Sequence, residues 1–111
     1  MDITDLRKNN VLILALRGKL DSLTTPALQE KILNFIQEGN KRIVMDCRAL
    51  DYLSSSGIRA FYIAGKKLEE SGGKLIFACP TPQVKKVIDV VGMSRHFSVF
   101  SDFEEAVQSL A

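Results

Sequence analysis

Hydrophobic positions along this chain follow two alternating patterns. Residues 11–16, VLILAL, form a short continuous apolar run. Such a run predicts a strand buried on both faces. Beyond Gly18 and Asp21-Ser22 the period changes. Leu28, Ile32, Phe35 and Ile36 recur at i, i+4, i+7 and i+8, one face of a helix. Thr24 and Thr25 stand where a cap belongs, Pro26 suits the first turn, and Gly39-Asn40 tolerates a left-handed stop. RIVMDC, residues 42–47, predicts the next strand, so strand, helix and strand suggest a parallel crossover. Ile58, Phe61, Tyr62, Gly65 and Leu68 mark a second helical face, stopped by Ser71-Gly72-Gly73. Helical propensity disfavours Gly65, so its place on that face predicts a close approach to a sheet.

KLIFAC, residues 74–79, predicts another buried strand. Pro80 and Pro82 introduce a helix carrying Val84, Val87, Ile88 and Val91, and Gly92 ends it. HFSVF, residues 96–100, reads as a last short strand. Ser101-Asp102-Phe103-Glu104 has the capping-box spacing, Ser followed by Glu three residues on. Phe103, Ala106, Val107 and Leu110 then form a final short helix. The alternation predicts an α/β domain with a largely parallel sheet, without internal repeat or linker.

Length adds that 111 residues fit one domain, 1–111, large enough for a core without staples. A composition of 46% hydrophobic and 25% charged residues is ordinary for a soluble globular protein. Fifteen basic and thirteen acidic residues leave a net charge of +2, too balanced to argue for nucleic acid. The pairs Lys41-Arg42, Lys66-Lys67 and Lys85-Lys86 lie apart, with acids nearby, and read as solvated surface. No run of 18 apolar residues predicts a membrane span. The acidic start, residues 1–5, lacks a signal-peptide pattern, so a cytoplasmic protein is expected. Cys47 and Cys79 sit among apolar residues and read as buried free thiols, with no disulfide framework or zinc site.

Catalytic chemistry is sparse. The one histidine, His96, has no metal-spaced partner and reads as structural or surface. SSSGIR lacks the Gly-x-Ser-x-Gly elbow of a serine hydrolase. No glycine-rich phosphate loop supports a nucleotide-binding or hydrolysing enzyme. No cofactor, metal or catalytic residue is expected. What stands out is ALDYLSSSGIRAFYIAG, residues 49–65, with three serines at a predicted helix start. One serine serves as an N-cap, worth about 1 kcal/mol. Another reading is phosphorylation, because free N–H groups and the positive end of the helix dipole tolerate a phosphate. Arg59 in the first turn opposes that dipole. It stands as a phosphate partner, a contact to an acidic surface, or an ordinary exposed arginine. Helical spacing places Phe61 and Tyr62 in the core.

Three stretches, in order and spacing, carry a resemblance: LRGKLDSLTTPALQEKI (16–32), RIVMDCRALDYLSSSGIRAF (42–61) and SGGKLIFACPTPQVKKVIDVVGMSRHFSVFSDFEEAV (71–107). Together they resemble the STAS domain, specifically the bacterial anti-sigma-factor antagonist family. The resemblance implies a mixed, mostly parallel sheet with helices packed mainly on one side, and an extra edge strand at residues 2–7. It makes Ser55 the phosphoacceptor. Ser54 stands where the family often has Asp, Ser56 at its small-residue position, Gly57 at its glycine, and Ile58 for the frequent Leu. Asp21 and Asp46 match acidic positions beside the phosphoacceptor, with implied roles in partner binding and in presenting the serine. By themselves these two also suit capping or turn formation.

The implied function is a partner switch. The unphosphorylated protein binds an anti-sigma factor that is also a serine kinase, and so frees a sigma factor for transcription. Phosphorylation breaks the complex and a serine phosphatase restores it. The chain is then a substrate and a binding module, with no direct contact to nucleic acid. The alternative is a constitutive regulatory subunit of a lipid-transport ABC complex or a signalling assembly.

Overall fold

A computed structural model describes residues 1–111. The elements in chain order are β1 (Asp2–Lys8), β2 (Val11–Leu20), α1 (Thr25–Gln37), β3 (Arg42–Leu53), α2 (Ser55–Glu70), β4 (Lys74–Ala78), α3 (Pro82–Val91), a 3-10 turn (Met93–Arg95), β5 (Val99–Phe100) and α4 (Phe103–Leu110). One sheet has the strand order β1-β2-β3-β4-β5. Its β1 runs antiparallel to β2, and the other neighbours pair in parallel.

Both sheet faces are covered, which is why the central strands read as continuous apolar runs. Leu12, Leu14 and Leu16 of β2, with Ile43, Met45 and Cys47 of β3, pack under α1, α2 and α3. Val11, Ile13, Val44, Ile76 and Ala78 face the other way, onto Ala106, Val107 and Leu110 of α4. Three helices therefore share one face and one short helix covers the other. Phe61 of α2 and Phe77 of β4 meet edge-on at 4.9 Å between ring centroids. Phe77 makes the same contact with Phe97 at 5.2 Å.

β1 is mostly exposed, so no apolar period announces it. The turn after it does carry a signal: Asn9 and Asn10 have φ of 53° and 68°, the left-handed pair that joins strands through a two-residue hairpin. The ends of β2 and β3 also extend past the predicted runs, to Leu20 and Leu53. Register shifts between Ala15 and Arg17 and between Gly18 and Lys19 break the alternation there.

Several local expectations are corrected. Residues 96–98 are not strand, because the N–H groups of His96 and Phe97 turn back to the Met93 carbonyl. The cap of α4 is Asp102, whose carboxylate accepts from the Glu105 N–H at 3.0 Å, one residue later than the Ser101 spacing implied. Gly65 makes its close approach to a ring rather than to the sheet. A Cβ there would lie 2.5 Å from Phe97 Cε1. Cys47 is buried as expected, and burial, with Asp46 adding to it, pushes its thiol up to about 12. Cys79 is only half-buried, at φ 55° beyond the end of β4.

The aromatic contacts centred on Phe77 tie β4 to α2 and to the β5 connection. Truncation in Phe77→Ala is expected to cost about 3–5 kcal/mol. Urea denaturation checks this as a lower midpoint with the slope nearly unchanged.

Candidate functional site

The site forms where β2 and β3 end side by side. Leu20 pairs with Leu53, and the Ser54 N–H donates to the Leu20 carbonyl at 2.9 Å. Asp21 follows Leu20 and so lies next to Ser54. Its Oδ1 accepts from the N–H groups of Leu23 at 3.0 Å and Thr24 at 3.1 Å. These bonds to the charged form, with that from Thr24 foremost, hold the Asp21 carboxyl below its ordinary 3.8. Asp21 thus organises the turn into α1. The expected threonine cap is not formed, because Thr24 Oγ1 donates to the Lys19 carbonyl at 2.8 Å and Thr25 Oγ1 to the Asp21 carbonyl at 2.6 Å.

The three serines divide the work at the start of α2. Ser54 is the N-cap, extended at φ −92° and ψ 170°, and its Oγ accepts from the Gly57 N–H at 3.3 Å. Its carbonyl accepts from the Ile58 N–H at 3.0 Å. Ser55 is the first helical residue and is exposed. Its hydroxyl has no hydrogen-bond partner in the protein. Ser56 is half-buried beside it. The N–H groups of Ser55 and Ser56 belong to the unpaired set of a helix start. No acidic residue in the first turn offsets the positive end of the helix.

Gly57 is buried, and its missing side chain lets α2 sit on the strand ends. A Cβ there would lie 2.6 Å from Leu20 Cδ2 and 3.0 Å from Leu53 Cδ1. Arg59 is exposed, one turn beyond Ser55, and makes no ion pair. Residues 21, 54, 55, 56, 57 and 59 are therefore brought together.

Asp46 is not part of this group. It sits mid-way along β3, roughly 20 Å of strand before Leu53, on the α4 side of the sheet. It is 6% exposed and holds Arg48 through contacts of 2.6 and 3.0 Å, while Arg48 lies over the Phe103 ring at 4.6 Å. Strand direction explains the correction: Met45 and Cys47 face α1 to α3, so Asp46 between them faces away. The structure also exposes two apolar residues beside the serines that sequence reasoning did not single out, Leu23 at 88% and Tyr52 at 44%. The available signal was a lone leucine inside the polar turn Asp21–Thr24. No cluster of three His, Cys, Asp or Glu side chains is placed to hold a metal.

The chain is 29% identical over 106 residues to BtrV of Bordetella bronchiseptica, described as a candidate anti-sigma factor antagonist, covering 96% of this chain and 91% of that protein. It is 25% identical over 105 residues to the anti-sigma-F factor antagonist RsfB of Mycobacterium tuberculosis, covering 95% and 85%. Among solved structures, the unphosphorylated anti-sigma factor antagonist SpoIIAA superposes with a TM-score of 0.83 at 24% identity, over 97% of this chain and 95% of that one. The Bacillus SpoIIAA in its phosphorylated form gives 0.76 at 22%, over 99% and 100%. The family model described as STAS domain matches residues 3–106. That span runs from β1 into α4 and takes in both strand ends that meet at Ser54, so the chain belongs to the STAS domain family.

Proposed function

We propose that this protein is an anti-sigma-factor antagonist whose binding is switched by phosphorylation of Ser55. Unphosphorylated, it docks an anti-sigma factor that is also a serine kinase, and a sigma factor is released. Phosphate on Ser55 ends the complex, and a serine phosphatase resets it. The switch operates in the cytoplasm, and the chain is a substrate and binding module rather than a catalyst. The carrying observation is the split between two serines: Ser54 is committed to the cap, while Ser55 presents a free, exposed hydroxyl. The names of the relatives above, and the existence of SpoIIAA in both phosphorylation states, support the reading.

The chemistry of the face suits such a switch. A phosphate brings roughly −1.5 to −2 charge, and the uncompensated start of α2 accepts it without cost to the fold. Arg59 stands one turn away to flank it. The added charge and volume fall on an exposed helix start close to the turn that carries the exposed Leu23. Asp21 and Ser54 hold the two loops in register, Ser56 and Gly57 let the helix start close to them, and Asp46 takes a structural role through Arg48.

Phosphoprotein mass spectrometry on protein from its native cells is expected to place phosphate on Ser55 and leave residues 54 and 56 unmodified. Against the cognate kinase, Ser55→Ala should keep binding and Ser55→Glu should weaken it at least about tenfold. Equal affinity of the two variants, together with no phosphate on Ser55, would leave a constitutive subunit as the better reading.

Two further outcomes follow from how the face is held. Gly57→Ala forces Leu20 and Leu53 aside and should cost about 1–3 kcal/mol in urea denaturation, with weakened partner binding. The folded Asp21 carboxyl ionises below 3.8. Its contribution to the turn is therefore present above the unfolded value and lost as pH falls through the folded one. The amide signals of Leu23 and Thr24 should titrate together, in NMR spectra, with a midpoint below 3.8.

A further inference from the structure

We propose that the groove along the C-terminal half of α2 is a second docking surface, which takes an acidic, extended segment of a partner protein whatever the state of Ser55. The groove has a volume of about 820 Å³ and lies between α2, the start of β4 and the connection into β5. Lys66, Lys74, Lys85 and Arg95 line it, against the single carboxylate of Glu69. Lys85 is paired with Asp89 at 2.7 Å, whereas Lys66, Lys74 and Arg95 have no ion pair. A shallower hollow next to it shares Lys74 and adds Lys41 and Arg42. In a chain of net charge +2, this concentrates positive charge on one side. Members of three basic pairs far apart in sequence line these two hollows as exposed surface.

The floor of the groove points to a peptide. Residues of β4 alternate in the direction of their backbone groups. The Lys74 N–H donates to the carbonyl of Lys41, the residue before β3, at 2.8 Å, while the N–H groups of Phe77 and Cys79 donate to the carbonyls of Ser98 and Phe100 at 3.0 and 2.7 Å. Leu75 therefore directs its N–H and C=O the same way as Phe77. The pairing with β5 begins only at Phe77, and neither group of Leu75 bonds to the connection that leads into β5. Leu75 lines the groove although most of the residue is buried, and it sits within a strand paired to β3, so the groove ends on an ordered stretch of sheet edge. A free anion satisfies the N–H but is repelled by the C=O. An extended peptide offers an acceptor and a donor together, and the surrounding cations select acidic side chains. Lys66 lies eleven residues beyond Ser55 on α2, about 16 Å along the axis, which separates the two surfaces.

The test is an NMR titration of the full chain with a peptide of alternating glutamate and valine, with fluorescence anisotropy for affinity. Expected are shifts of the Leu75 amide, weakening by at least about tenfold in Lys66→Glu with Arg95→Glu and at raised salt, and loss of binding when alternate peptide nitrogens are methylated. Ser55→Glu should bind the peptide as the parent does, which keeps this result separate from the phosphorylation switch. A silent Leu75 amide, or equal affinity of the charge-reversed variant with its fold verified by circular dichroism, overturns the proposal. So does displacement of the peptide by inorganic phosphate, single-stranded DNA or phosphatidylglycerol vesicles at comparable concentration.

Discussion

The pairing of β2 with β3 to their last residues is the constraint on which the serine face depends. Leu20 and Leu53 are register partners, and the next N–H, that of Ser54, closes onto the Leu20 carbonyl. This one bond fixes where β3 ends and α2 begins. It also brings the turn after β2, with Asp21 and Leu23, beside the first turn of α2. The two leucines then form the seat on which Gly57 rests. A slip of either strand by one residue would turn that strand's leucine out of the core and displace the two loops from one another.

The same junction explains why three serines are useful there. A helix start needs a side-chain acceptor, and Ser54 supplies it. Because that need is met, the next hydroxyl is free of structural duty. A chemical change at Ser55 can therefore alter the surface while the cap, the strand pairing and the core remain as they are. A switch of this kind needs no internal rearrangement, only a surface whose charge and shape are read by a partner.

Much of the fold was legible because it rests on local periodicity. The apolar runs at 11–16, 42–47 and 74–79 and the helical faces of α1, α2, α3 and α4 all stand in the structure, since burial on both faces of a parallel sheet writes itself into continuous apolar strands. β1 was legible only through resemblance, its mostly exposed residues giving no period. Caps were less legible. Asp102 rather than Ser101 caps α4, and no side chain caps α1, where Asp21 orders the turn before the helix instead, because adjacent polar residues compete for nearby backbone groups and the chain's path selects among them. Asp46 was misplaced for another reason: its position in sequence gave its strand but not which way its side chain turned relative to Ser55.

The sequence by itself determined the succession of strands and helices and the helix start at the serines, because these depend on residues within a few positions of one another. Only the tertiary structure decided which serine is spent as a cap and which is free, that Asp21 joins the serine face while Asp46 does not, and that Lys41, Arg42, Lys66, Lys74, Lys85 and Arg95 gather on one side. The physical reason is distance along the chain. Electrostatic patches and strand-end hydrogen bonds unite residues tens of positions apart, and nothing in the local pattern encodes their meeting until the sheet order and the packing of α2 and α3 are in place.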